Sequence, residues 1–344
     1  MILQLKNSER YTNVLMKMHV LMQGSVSGMV LVLCLVMMAF STLCANTAPF
    51  DSGLPDFSFH YGINGYAPGS WFDDPTALAL DQQSNLIYVT DMKAGKVNAF
   101  SLQGIAKFQY GAKNELKSPL GIAVDKRRNI YVSENAGGPI AIIDPKGVVT
   151  TLEIPVSEDD VPPMPGRMTF DQDGNLYVVE RANCRIYIFD KNLKLKLKFG
   201  AIGNERGMFK MLIDVAVDRQ GRIFALDAQG IPVQVFDPRG NLIYRFGIIG
   251  DGDQDLSRPS AIFIDRNDQV WIADKDQHSI KVFDRSGAFL RKFGDYGLGE
   301  GMLFYPIDAV LDNSGRVYVL ESGSRRLQVF TLRRPLEPLS LFSQ

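Results

Sequence analysis

Metal and disulfide chemistry have little material in this chain. Its 344 residues include three cysteines and three histidines. No Cys-x-x-Cys or Cys-x-x-Cys-His segment occurs, which excludes a zinc ribbon, a thioredoxin-like redox pair and covalent haem attachment. Neither sign of charge is in excess: Lys and Arg number 37 against 38 Asp and Glu, a net charge of −1. Because affinity for nucleic acid comes mainly from neutralised phosphates, this balance argues against nucleic acid as a partner. Long apolar runs are scarce too. The run Met29–Phe40 holds twelve apolar residues, short of the roughly 20 that a helix needs to cross a bilayer. What the chain does have is 46% hydrophobic and 22% charged residues, the balance of a folded core, with 31 Gly and 17 Pro to supply many turns.

The first 45 residues form a segment of their own. Lys6, Arg10 and Lys17 precede the apolar run, and Ser41-Thr-Leu-Cys-Ala45 follows it. Basic, then apolar, then small is the order of a secretory signal. Extended from Val26 to Ala45, the same run approaches spanning length and reads as an uncleaved anchor. Lipidation at Cys44 has Leu43 against it, where a lipoprotein site carries Gly, Ala or Ser. The expectation is an exported protein, periplasmic or extracellular, with membrane contact only through that segment. Residues 46–56 then serve as a linker, 57–332 as the folded unit and 333–344 as a tail. Without residues 1–45 the chain loses three basic residues and one acidic residue and carries about −3; it keeps Cys184, His60 and His278. A single cysteine forms no internal disulfide.

A repeat dominates the remainder. The phrase Pro-x-x-x-x-x-Asp recurs as Pro75 to Asp81, Pro119 to Asp125, Pro165 to Asp171, Pro259 to Asp265 and Pro306 to Asp312, and Leu212 to Asp218 fills the slot without proline. Successive aspartates lie 44, 46, 47, 47 and 47 residues apart, a period that marks a repeat architecture. Within each copy, short β-branched and aromatic runs alternate with Asp, Asn, Gly and Ser turns, the pattern of four antiparallel strands joined by hairpins. The second strand carries an aromatic at one register: Tyr88, Tyr131, Tyr177, Phe224, Trp271 and Tyr318. The third ends on Phe100, Ile143, Phe189, Phe236, Phe283 and Phe330. Such groups at equivalent positions predict a core stacked between neighbouring copies.

Six four-stranded copies resemble the NHL-repeat family of six-bladed β-propellers. Pro119-Leu-Gly-Ile-Ala-Val-Asp125 and Asn183-Cys-Arg-Ile186 are similar to its repeat phrases, and the resemblance covers residues 57–332. It implies an all-β ring. The last copy lacks a fourth strand, while Phe57-Ser-Phe-His-Tyr-Gly62 parallels Phe108-Gln-Tyr-Gly111, so an N-terminal strand should complete the last blade and hide its edge. In the third copy, Leu193, Leu195, Leu197 and Phe199 alternate with lysines, as expected of an outer strand whose lysines protect the edge.

The resemblance places functional residues on the face shared by the entry loops and the loops between second and third strands. The entry position reads Ala77, Gly121, Arg167, Asp214, Ala261 and Asp308 around the ring. Two readings fit its three charged members. One is a polar mouth for an anionic or hydroxylated ligand, or for a divalent cation held by carboxylates, with Asn183 as a further oxygen donor. The other is a plug in which Arg167 and Asp214, on neighbouring blades, neutralise each other and Asp308 stays free for a ligand. A second ring of acids, Asp91, Glu134, Glu180, Asp227, Asp274 and Glu321, is read as structural: each would accept hydrogen bonds from the next loop, or pair with Lys96, Arg185 or Arg326 five residues on. The loop Leu152–Gly166, with Glu158, Asp159 and Asp160, is charged and stiffened by proline, suited to touching a partner or simply irregular.

Among related propellers, an amidating lyase would need several channel histidines, which this chain lacks, and a gluconolactonase-like hydrolase would hold a divalent cation with Asp, Glu and Asn. No Ser/His/Asp arrangement accompanies the repeats, and Cys184 sits inside one. The sequence therefore reads as an exported propeller that binds or scaffolds a protein or cell-envelope partner and needs no cofactor. The alternative is a metal-assisted hydrolase or lyase at the channel mouth.

Overall fold

The structure, a computed structural model, describes residues 57–111, 116–156 and 160–332. The segments 1–45 and 333–344, with Glu158 and Asp159, lie outside the described residues. Those described form six four-stranded antiparallel sheets and no helix, a six-bladed β-propeller. Blade 1 shows the pattern: an inner strand Pro75–Asp81, then Leu86–Asp91, Lys96–Ser101 and an outer strand Ala106–Tyr110, in that spatial order. The inner strands of blades 2 to 6 are Pro119–Val124, Pro165–Phe170, Leu212–Val217, Pro259–Ile264 and Pro306–Leu311.

The repeated aspartate is explained by the first hairpin. Asp125 Oδ1 accepts the backbone N–H groups of Arg127 and Asn129, both at 2.8 Å, so the carboxylate stands in for the donors' missing sheet partners at the turn. Its other oxygen receives the Tyr131 hydroxyl at 3.3 Å. The same pair forms between Tyr177 and Asp171, Trp271 Nε1 and Asp265, and Tyr318 and Asp312, at 3.0–3.2 Å. In these four blades the aromatic of the second strand is thus both a core group and a hydrogen-bond donor to the turn, whereas Phe224 of blade 4 serves the core alone.

Burial lies between blades. Six core clusters form, each from two neighbours; one joins Tyr177, Val179 and Ile186 of blade 3 to Phe209, Val215, Ala225 and Phe236 of the linker and blade 4. Another spans blades 6 and 1 with Val329, Leu320, Val89 and Phe100, which closes the circle. Blade 6 is Pro306–Leu311, Arg316–Glu321 and Arg326–Leu332, completed by Phe57–Ile63 running antiparallel to the last of these. This strand reaches into both flanking cores: the Phe57 ring stacks on Phe293 of blade 5 at 4.0 Å between centroids, and the Tyr61 hydroxyl donates to Leu102 O of blade 1 at 2.5 Å. Leu195–Phe199 is the outermost strand of blade 3, with Lys196 exposed and Leu197 and Phe199 packed on the core; Leu195, 41% exposed, departs from the expected buried face.

The acids ending the second strands are structural and serve two loops. As expected they hold the loop that follows, with Glu180 accepting Ala182 N and Asn183 N and Asp227 accepting Gln229 N and Gly230 N at 2.8–3.0 Å, and they also hold the loop before the inner strand. Asp91, Glu134, Asp227 and Asp274 each accept two backbone N–H groups from the loop entering their own blade, as in Asp274 with Ser257 and Arg258 at 2.9 Å. Of the ion pairs expected five residues on, Arg326 meets Glu321 at 3.1 Å. Arg185 pairs with Asp160 instead.

Candidate functional site

Every inner strand has an irregular register just after its first residue, with shifts between Pro75 and Ala77, Leu212 and Asp214, and Pro306 and Asp308 among others. A bulge re-aims the side chain that follows it, and here it turns the entry position towards the channel. Small residues fit where inner strands approach closely. A Cβ on Gly121 would lie 2.2 Å from the carbonyl oxygen of Gly166 on the next blade, so no side chain is tolerated there.

Arg167, Asp214 and Asp308 all line the channel, but they pair differently from the sequence expectation. Arg167 Nη1 meets Asp308 Oδ2 at 2.5 Å, and its Nη2 donates to Thr76 O at 2.9 Å and Ile307 O at 2.8 Å. The side chain therefore crosses from blade 3 to blades 6 and 1, on the far side of the ring. Asp308 also accepts Leu78 N at 2.7 Å and Ala309 N at 2.9 Å, so it is sealed by a cation and two amides and is not the free ligand contact expected. Asp214, the expected partner of Arg167, instead accepts Val215 N at 2.8 Å and Ile262 N at 2.9 Å. The error has a geometric cause. In a ring of six the third and sixth members stand opposite, and an arginine is long enough to bridge them, whereas adjacency in the repeat alignment measures only position around the rim.

Electrostatics bind the three into one unit. Burial pushes the Asp214 carboxyl up to about 7; Arg167 opposes the rise and the Asp308 charge adds to it. Burial works against the Arg167 charge, but Asp308 and Asp214 together outweigh it and its pKa is raised. Three of the five guanidinium N–H groups are engaged. The remaining two, on Nε and Nη1, have no acceptor among the described residues, and the side chain keeps 16% exposure.

Arg167 separates two spaces. Inside lies a 210 Å³ cavity bounded by Met168, Asp214, Ile262 and Asp308. Outside, a 660 Å³ cavity opens at the mouth between Asp74, Thr76, Met211, Gln229, Arg258 and Lys275. Asn183 lines neither; its amide bonds Glu180 Oε2 at 2.9 Å and Val161 O at 3.2 Å, fastening the loop before blade 3. Asp160 of that loop is fixed by Arg185, with Lys198 at 3.7 Å, so it anchors the loop to its own blade. Cys184 is buried, and burial raises its thiol pKa, the reverse of what a nucleophile needs. His278 accepts Tyr305 N at 3.1 Å in an aromatic cluster with Tyr296 and Phe304; neither it nor His60 lines the mouth or channel cavity.

The residues do not fit a divalent cation. Among the described residues no three His, Cys, Asp or Glu converge as a metal set, and the carboxylates of Asp214 and Asp308 already hold backbone amides and Arg167. An ion there would have to displace those donors.

Sequence reasoning missed the rim. A backbone hydrogen bond recurs in all six blades between the residue after the second strand and the residue before the repeat proline or Leu212: Met92 to Asp74, Asn135 to Ser118, Arg181 to Met164, Ala228 to Met211, Lys275 to Arg258 and Ser322 to Tyr305, at 2.8–3.0 Å. These pairs surround the mouth, and aligning these two columns as well would have exposed the double cation of blade 5.

No protein-family model and no curated protein sequence matches the chain. Solved structures do. A streptogramin B lyase aligns with TM-score 0.56 at 14% identity over 80% of this chain and 98% of that one. A gluconolactonase from Xanthomonas campestris gives TM-score 0.58 at 14% identity, again over 80% and 98%. A catalytically inactive histidine-to-alanine virginiamycin B lyase from Staphylococcus aureus, solved with quinupristin, gives 0.55 at 15% over 82% and 90%. At this identity the likeness is one of fold: the chain shares the six-bladed propeller of these enzymes.

Proposed function

We propose that the protein receives a small polar ligand at the mouth of its channel and is a hydrolase or lyase, in preference to a scaffold for a protein or cell-envelope partner. The observation that carries this reading is the open 660 Å³ cavity, of the size that encloses small molecules, floored by a fixed guanidinium with N–H donors to spare. Such donors can orient a carbonyl and stabilise negative charge that develops on it. Behind them Asp214, titrating near 7, is suited to exchange a proton at neutral pH. The similar propellers that act on a lactone and on streptogramins support the class. No step is routed through a metal, because the carboxylates present are committed. Export of the chain to the periplasm or beyond, and its kinship with NHL repeats, are parts of the same proposal.

The test is an assay of the purified protein against glucono-lactone and a streptogramin B, with and without chelator. Turnover that survives the chelator and falls at least tenfold in Arg167→Ala, with the fold intact by circular dichroism, is expected. No turnover of either, together with stoichiometric capture of an envelope protein that leaves the mouth unprotected from hydrogen exchange, would return the scaffold reading.

A further inference from the structure

The six rim pairs give an internal control for what the mouth requires as a fold. All share the same backbone hydrogen bond, so their side chains leave equivalent points of the ring. Four pairs carry no cation: Asp74 with Met92, Ser118 with Asn135, Met211 with Ala228 and Tyr305 with Ser322. Blade 3 carries one, Arg181, and it is tied down, donating from Nη2 to Asn135 O at 2.9 Å. Blade 5 carries two, Arg258 and Lys275, on directly paired residues, and both line the mouth cavity.

Neither blade-5 cation is satisfied as Arg181 is. Arg258 has Asp276 at 3.5 Å, and both side chains are largely exposed. Lys275 is half-buried, and its ammonium makes no hydrogen bond or ion pair among the described residues; it lies over the Tyr305 ring, 5.7 Å from the centroid. Arg181 reaches back to Asn135 of the preceding blade, to its backbone oxygen and its Oδ1; Lys275 is turned the other way, towards blade 6. Burial and then the Arg258 charge lower the Lys275 pKa, with Asp276 and Asp74 pulling the other way. Two like charges on bonded neighbours repel, and one solvent-exposed carboxylate at 3.5 Å is weak compensation. An anion between them removes the repulsion and gives the lysine its missing acceptor.

We propose that Arg258 and Lys275 form a subsite for an anionic group, carboxylate or phosphate, of the ligand that the mouth receives. This rests on the mouth being the ligand site and adds the charge that the ligand carries. Arg258 supplies a planar fork for two oxygens and Lys275 a point charge. Asp276 is then the internal competitor that an entering anion displaces.

The experiment is a ligand-detected NMR titration of the intact protein with succinate, inorganic phosphate and neutral succinamide, on wild type and on Arg258→Gln, Lys275→Met and Asp276→Asn. At least one anion should bind, with Kd rising about tenfold in either cation variant, a loss of about 1.4 kcal/mol, and falling in Asp276→Asn; succinamide should be indifferent to all three. The anion that responds separates a carboxylate from a phosphate subsite. A purely structural role for the pair would not give tighter binding in Asp276→Asn. Anion binding unchanged across the variants overturns the subsite. Succinamide or glucono-lactone held at the mouth while both anions are ignored overturns the subsite and leaves the mouth standing. If nothing binds, both readings fall.

Discussion

The two ends of the inner strands teach different things. At the inward end the repeat aspartate occupies the same place in six blades, and where its bonds to the turn and to the second-strand aromatic form, they form alike, from Asp125 with Tyr131 to Asp312 with Tyr318. At the mouth end the residues share a backbone position and a bulge, yet the blades do not all use it in the same way. Gly121 is forced by a neighbouring carbonyl, Asp214 and Asp308 bond the amides of the following blades, and Arg167 crosses the channel. Uniformity marks what every blade needs in order to stack. Divergence at a fixed backbone position marks what the molecule needs only once, and the mouth is where such residues gather.

The strongest way to break the contrast is to damage the uniform part. Deleting Phe57–Ile63 removes Phe57, Phe59, Tyr61 and Ile63 from the cores beside blade 6. At roughly 2 kcal/mol for each apolar side chain, the loss reaches the usual net stability of a domain. The deleted protein should unfold at a far lower denaturant midpoint, or fail to fold; an unchanged midpoint would remove the closing role of the strand.

Next comes the cross-channel pair. Arg167→Ala leaves Asp308 charged and poorly solvated, at a cost of about 3 kcal/mol. If the two form one unit, the double variant Arg167→Ala/Asp308→Ala should lose clearly less stability than the sum of the single losses. Strict additivity in urea unfolding would mean that the 2.5 Å contact carries no energy.

Asp214 gives the smaller effect, read through pH. Its folded pKa of about 7 lies above the ordinary carboxylate value of about 4. Its contribution is therefore fully present below pH ~4 and is lost as pH rises through ~7, because the unfolded chain releases this proton first. Asp214→Asn should flatten that fall and gain most, relative to wild type, near pH 8. Parallel stability curves for the two proteins would show that Asp214 is ionised throughout.

Architecture was legible because stacking imposes a period. The spacing of the aspartates, the aromatic columns and the orphan strand at Phe57 each record a contact that every blade repeats. The site was legible only as a list. The entry column did single out Arg167, Asp214 and Asp308, since departures from a small residue show in an alignment. It could not show who faces whom, which depends on the diameter of the channel and the reach of an arginine. Asn183 was misplaced because an amide near a loop looks the same whether it serves a ligand or, as here, Glu180. Arg258 and Lys275 were overlooked because they are 17 residues apart in the chain and become neighbours only through a hydrogen bond that sequence does not display.

The central claim is that the mouth above Arg167 is the working site, and soaking crystals of the protein with succinate and glucono-lactone tests it most directly. The account predicts ordered density within hydrogen-bond distance of a free Arg167 N–H, with the succinate carboxylate between Arg258 and Lys275 and the Arg167–Asp308 bridge unbroken. An empty mouth beside ligands ordered elsewhere on the ring, or an Arg167 swung out of the channel, would contradict it.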